Sequence, residues 1–296
     1  MADTTRIDSL NVLLDSTGKM LLAEAYDGVI DNVQKNAISF IIKNTDLSGT
    51  PETGTVEAKR FVNAVSATYG SARTANKGTA LKGKPVTVKL DQNKEFVEEI
   101  EEKDASLLGV SGLIEKRSAN HAKRLEAELD SAMFAEAKTS GTAFTPGSGV
   151  TAVQDIVESM IVTLETLKND YIDGIDRDMM SLILSPDYYS KMRTYLDNTA
   201  HNANVDTAAE QFIRYHGVKV FSSHRLPVSV SGKTTSTTQA VLVMDGSIAQ
   251  PLMVNEYKTE KIPLSDAIAL EMFFYYGTKA VTPETILTYS TTVTTD

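Results

Sequence analysis

The longest stretch with a single hydrophobic period runs from Asp104 to Lys138. Apolar side chains recur at Leu107, Val110, Ile114, Ala122, Leu125, Leu129, Ala132 and Met133. Spacings of three and four residues place them on one face of an α-helix. The opposite face carries Glu115, Lys116, Arg117, Lys123, Arg124, Glu126, Glu128 and Asp130. Proline is absent, and the only glycines, Gly109 and Gly112, lie near the start. At the usual rise per residue the helix would be roughly 50 Å long, beyond the ordinary globular helix. The pattern predicts a rod with other pieces arranged along it, or else a coiled coil or a long core helix.

Other periods appear on either side. Val29 to Lys43 repeats Val29, Ile30, Val33, Ala37, Ile38, Ile41 and Ile42 at helical spacing after a turn predicted at Ser16–Gly18. Residues 1–50 read either as an arm packing on a neighbour or as a small helical subdomain. Val86, Val88 and Leu90 alternate with Thr87 and Lys89, a half-buried strand, and a partner strand is expected around Glu57 to Ala67. The polar tip between them, Gly70 to Lys84, has little to bury. Such a hairpin is marginal alone and should lie against something else.

Beyond the rod, Thr151 with Gln154 suggests a capping box before the apolar face Val153–Leu167. Met179 to Leu184 reads as a buried strand, and Ser185-Pro186 as an N-cap followed by proline at the first helical position. Strands are predicted at Val218–Phe221 and Ala240–Met244, with a Ser/Thr/Gly loop over Ser229–Thr238. This alternation implies an α/β unit over 151–250. Ile268, Leu270, Met272, Phe274 and Tyr276 then alternate, and Val281–Tyr289 resumes the pattern after Gly277. No helix follows these strands, so the long helix is their natural cover.

Charge sharpens the hairpin. From Glu57 to Lys94 the basic residues are Lys59, Arg60, Arg73, Lys77, Lys82, Lys84, Lys89 and Lys94, against Glu57 and Asp91, in a chain of net charge −10. Glu95, Glu98, Glu99, Glu101, Glu102 and Asp104 follow, with only Lys103 among them. These are either two solvated faces or complementary surfaces, a basic hairpin lying over an acidic helix start on another subunit. Acids at a helix start also suit its dipole.

Candidate chemistry is sparse. The chain has no cysteine, so disulfides, thiolate metal sites and cysteine nucleophiles are excluded. The negative charge argues against a general polyanion binder. No run approaches a membrane span, and the N-terminus lacks a basic region before an apolar run, as a secretory signal requires. Gly78–Lys84 matches phosphate-loop spacing, but Pro85 replaces the hydroxyl residue and a strand follows instead of a helix. Asp170, Asp173, Asp176 and Asp178 fit no calcium-loop order. His201, His216 and His224 form no ligand-spaced pair. No catalytic, cofactor-binding or metal residues are assigned, and an enzyme is not expected.

Four phrases, in this order, carry a resemblance: Leu182-Ile-Leu-Ser-Pro186-Asp-Tyr-Tyr189; Tyr215-His-Gly217-Val-Lys-Val220 with Leu226-Pro227; Val241-Leu-Val-Met-Asp245; and Ala269–Tyr276 followed by Gly277, Val281, Pro283, Glu284 and Ile286. Together with the hairpin and long helix, the chain resembles the major capsid proteins of tailed bacteriophages, which have the Hong-Kong-97-type fold. The resemblance implies an α+β fold with an N-terminal arm (1–54), an extended hairpin or E-loop (55–97), a peripheral domain with a spine helix (98–149 and 267–296) and an α/β axial domain (150–266).

It further implies a virion protein, assembled in the host bacterial cytoplasm, whose hexamers and pentamers close into an icosahedral shell around double-stranded DNA without sequence-specific binding. Partners would be further copies of the chain, a portal protein, and a separate scaffolding protein unless the chain is a processed form. No cofactor and no membrane are implied. The intersubunit contact candidates are Arg73, Lys77, Lys82 and Lys84 on the hairpin and Glu98, Glu99, Glu101 and Glu102 beyond it. A lysine–asparagine crosslink is not predicted, because no asparagine matches. The rival readings are an encapsulin-like nanocompartment shell, which shares the fold, an adhesive tail or baseplate component, and a soluble metal-dependent α/β enzyme using Asp170–Asp178.

Overall fold

The long apolar stripe forms a helix, Glu102–Ser140, in a computed structural model that describes residues 10–64, 66, 68–74, 83–198, 205–206 and 211–294. The helix is not uniform. Gly109 has φ 73° and ψ 160°, a conformation that side chains with a Cβ resist, and the axis breaks there.

In chain order, a 3-10 turn (Leu10–Leu14) precedes helices α1 (Ser16–Asn36) and α2 (Ile38–Ile42). Strands β1 (Leu47–Ser48), β2 (Thr55–Phe61) and β3 (Gly83–Lys89) follow, with α3 (Ser71–Thr74) between β2 and β3. Strand β4 (Gln92–Ile100) leads into the long helix, α4, then β5 (Thr142–Ala143) and α5 (Val153–Glu165). Next come β6 (Met180–Leu184), α6 (Pro186–Asp197), β7 (Val205–Asp206), β8 (Gln211–Phe212), β9 (Arg214–Tyr215), β10 (Val218–Ser222), β11 (Val228–Ser231) and β12 (Thr234–Met244). The last strands are β13 (Ile248–Ala249), β14 (Leu252–Val254), β15 (Lys258–Lys261), β16 (Ile268–Tyr276), β17 (Lys279–Ala280) and β18 (Ile286–Thr294).

Two sheets share α4 as their cover. The inward side chains of β16 (Ile268, Leu270, Met272, Phe274 and Tyr276) form one core with Val110, Ile114, Ala122, Leu125 and Leu129 of α4. Met133, Phe134 and Ala137, farther along α4, pack instead with Ile183, Val241, Val243 and Ile286 of the second sheet. The other face of that sheet is covered by α5 and α6. Strand β6 is therefore buried on both faces along all five residues, which explains its uninterrupted apolar run.

Residues 10–42 do not form an arm reaching away from the core. Asp15 caps α1 by accepting from the backbone amides of Thr17 and Gly18, where the sequence suggests a turn. Leu10, Leu13, Leu22, Val29 and Val33 join the core of α4 and β16. The stretch is a packed helical layer.

The C-terminal strands also differ from expectation. Helix α4 covers both closing strands, as expected, but they lie in different sheets: β18 inserts between β12 and β5, pairing Ile286 to Val293 against Val243 to Thr235. Segment 267–296 is thus shared between both sheets. The expected loop over Ser229–Thr238 is a hairpin, with Val230 opposite Thr235.

Helix starts divide likewise. Helix α5 begins at Val153 behind Ala152, which makes no side-chain cap bond, so the Thr151 capping box does not form. Ser185 does cap α6: its Oγ accepts from the Tyr188 amide at 3.3 Å and donates to Gln239 Oε1 at 2.5 Å. Ser185→Ala should cost about 1–2 kcal/mol, read as a lower urea midpoint with an unchanged slope.

Candidate assembly interface

Strands β1, β2 and β3 form the hairpin sheet, and alternation gives it two unlike faces. Val56, Ala58 and Val88 point inward and pack on Ala249 and Val281. Arg60, on the same face, pairs with Glu284, and its guanidinium lies 3.8 Å from the centre of the Tyr171 ring. The Asn63 amide donates to the Asp170 carbonyl at 3.0 Å. The hairpin base is therefore clamped to its own subunit.

Its basic residues divide accordingly. Arg60 is internal, and Lys94 reaches Glu128 on α4 at 3.3 Å. Lys59, Lys84 and Lys89 are exposed, with no ion pair among the described residues. Arg73 lies in α3, and Lys77 and Lys82 lie outside the described residues.

Only the second half of the acidic run, Glu101, Glu102 and Asp104, is a helix start. Residues Gln92–Ile100 form β4, paired with β16 along its whole length, and α4 begins only at Glu102 with Glu101 as its N-cap. Glu98 is opposite Leu270, so it points toward α4 and is not a free intersubunit carboxylate. Arg117 holds it with Nε at 2.6 Å and with a second guanidinium nitrogen. His121 Nε2 lies 3.3 Å from it, while His121 Nδ1 is 2.7 Å from the Tyr257 hydroxyl. Burial raises the Glu98 pKa, but hydrogen bonds from Arg117 and the nearby positive charges outweigh it, so the carboxyl sits below its ordinary value. Burial, partly opposed by Glu98, pushes His121 downward. The cluster ties β4 to α4.

Glu99 faces the other way. The outer surface of this sheet presents Glu95, Val97 and Glu99 from β4, Ala269, Glu271, Phe273 and Tyr275 from β16, and Lys258 and Glu260 from β15. Four carboxylates thus surround a partly apolar strip, and Val97 is half-exposed. Glu260 and Glu271 escape sequence reasoning because they join Glu99 only through strand pairing. Glu101 lies 2.5 Å from Lys103, and Glu102 is exposed on the first turn of α4.

The remaining candidate chemistry does not converge. Among the described residues no three His, Cys, Asp or Glu side chains group as a metal site. Asp173 pairs with Lys168 at 2.8 Å, and His216 pairs with Glu158 at 2.7 Å. His201 and most of the Gly78–Lys84 stretch lie outside the described residues, and Gly83 and Lys84 belong to β3. No described helix is long and apolar enough to cross a membrane.

No protein-family profile and no curated protein sequence matches the chain. Solved structures do. The chain is similar to the structure described as the capsid of the cyanophage P-SCSP1u, with a TM-score of 0.54, 14% identity, and coverage of 83% of this chain and 84% of that one. Similarity to the capsid of Ralstonia phage GP4 has a TM-score of 0.54 at 12% identity, covering 86% and 87%. The head structure of Helicobacter pylori bacteriophage KHP40 matches with a TM-score of 0.57 at 9% identity, covering 86% and 92%. The fold is the Hong-Kong-97-type capsid fold.

Proposed function

We propose that this chain is the major subunit of a tailed-phage capsid, forming hexamers and pentamers that close around double-stranded DNA. The observation that carries this reading is the fold match along more than four fifths of both chains. In this reading a portal and a scaffolding protein complete the assembly, and the virion is its location. The hairpin is the extended loop, α4 with the β16 sheet is the peripheral domain, and the α5–α6 unit is the axial domain. No enzymatic role is assigned.

The hairpin would cross a neighbouring subunit. Lys59, Lys84 and Lys89, with Arg73, Lys77 and Lys82, would meet Glu99, Glu101 and Glu102 together with Glu95 and Glu260 of the neighbour. Glu98 takes no part. Charges paired across an interface govern its register and rate of formation more than its bare affinity, and salt weakens them.

The test is electron microscopy of the purified protein with Lys59→Glu, Lys84→Glu and Lys89→Glu combined. The unsubstituted chain should give closed shells or five- and six-membered rings. The triple variant should fold with an unchanged melting temperature and assemble at least about tenfold more slowly at low salt. Glu99→Lys with Glu260→Lys should restore part of the rate. A chain that stays monomeric, even with its scaffolding protein added, refutes the capsid reading. Shells that package protein and no nucleic acid would favour a nanocompartment instead.

A further inference from the structure

The turn joining β15 to β16 carries a leucine that its own subunit does not use. The Ser265 amide donates to the Ile262 carbonyl at 3.3 Å, and the Ile262 amide to the Ala267 carbonyl at 3.2 Å. Pro263 and Leu264 are the two central residues, and Leu264 has φ 62°. Proline followed by a residue of positive φ is the pattern of a type II turn, whose third position favours glycine. Leucine there is strained, and its side chain is also entirely in water, at 109% relative exposure. Burial does not explain the residue, and neither does local conformation.

A cleft of about 450 Å³ lies at the same end of the subunit, lined by Ile100, Leu113, Glu99, Lys103 and Arg117 among others. Ile100 pairs with Ile268, at the first residue of the strand that leaves the turn. Lys103 is within electrostatic reach of Asp266, beside the turn. Knob and cleft are therefore neighbours on one subunit, yet the knob stays outside the cleft. We infer that Leu264 seats in the corresponding cleft of a second copy of this chain, against Ile100 and Leu113.

Two features support a second copy as the occupant. A knob and a recess side by side at one end let copies join head to tail about a nearby axis, and the repeat closes into a ring where the rotation divides a full turn. Lys261, which flanks the turn, and Asp104, also on the cleft lining, are both exposed and in no salt bridge among the described residues. Seating the leucine would bring these opposite charges together across the contact. The inference rests on the self-association in the proposed function but not on the hairpin contact.

Leu264→Gly separates the contact from folding. Glycine suits the turn, so the unassembled variant should melt at the same temperature or higher. Half-maximal assembly, followed by light scattering, should need about tenfold more protein or beyond, as expected for losing a buried leucine. A direct readout uses the absence of native cysteine. Leu264→Cys and Leu113→Cys proteins, mixed, assembled and oxidised, should give a cross-linked peptide pair joining residues 264 and 113 by mass spectrometry. Normal assembly of Leu264→Gly together with no such pair overturns the contact while leaving the shell intact. An unsubstituted chain that never associates overturns both readings.

Discussion

Gly277→Ala should destabilise the subunit by about 3 kcal/mol or more, as overpacking against backbone does at its upper end. A Cβ added at Gly277 would lie 1.8 Å from the Lys89 carbonyl oxygen, 2.7 Å from its carbonyl carbon and 3.3 Å from the Leu90 Cα. All three atoms are backbone, so no side chain can swing aside. The Lys89–Leu90 peptide links β3 to β4, which makes it the joint between hairpin and sheet. Displacing it would disturb the hydrogen bond from the Leu90 amide to the Gly54 carbonyl, 3.0 Å, and the pairing of Tyr276 with Gln92. The melting temperature should fall by roughly 6–12 °C, measured by calorimetry on unassembled protein. A loss under about 1 kcal/mol would mean that the joint relaxes freely, since ordinary surface changes stay near that size.

Arg225→Met should cost about 3–5 kcal/mol, the range for removing one partner of a buried pair. Asp130 on α4 is completely buried. One of its oxygens accepts from the Ser39 amide at 2.9 Å, and the other accepts from Arg225 Nη1 at 2.7 Å. The same guanidinium nitrogen reaches Glu126 at 2.8 Å. Burial raises the Asp130 pKa, and the bonds from Ser39 and Arg225 offset only part of that rise. Methionine keeps the volume but strands the carboxylate without a counter-charge.

The sign of its pH dependence follows. A carboxyl whose folded-state pKa exceeds its unfolded value takes up a proton on folding, so stability grows as pH falls toward the unfolded value. The gap between the variant and the unsubstituted protein should therefore narrow from pH 8 to pH 5 in urea titrations. Asp130→Asn with Arg225→Met should recover at least half of the loss. A double variant no better than the single one would show that the stranded charge is not the cause.

The sequence shows clearly those elements whose own residues carry an unbroken period, an uninterrupted apolar run or a cap signal. The stripe of α4, the alternation of β16, the apolar run of β6 and the Ser185-Pro186 start of α6 belong to this class. Strand β4 is obscured because Glu95, Glu98 and Glu99 imitate the acids of a helix start. Only pairing with β16 reveals that Glu98 faces inward, satisfied by Arg117 and His121 on a helix many residues later. The Ser/Thr-rich stretch before Ala240 looks like a loop by polarity, although its β-branched threonines favour a strand. For the candidate interface, the excess of base in the hairpin was legible. The acidic surface was not, because Glu260 and Glu271 stand beside Glu99 only through register.

The place of β18 also sets an order in time. It fills the gap between β12 and β5, although β5 precedes it by more than a hundred residues and β12 by about forty. During synthesis, β12 must wait with one edge unpaired until residues 286–294 have left the ribosome. Long-range strand pairing of this kind is slow to form, and an open edge invites other chains. A nascent chain stalled before Ile286 therefore carries β12 with that edge still open.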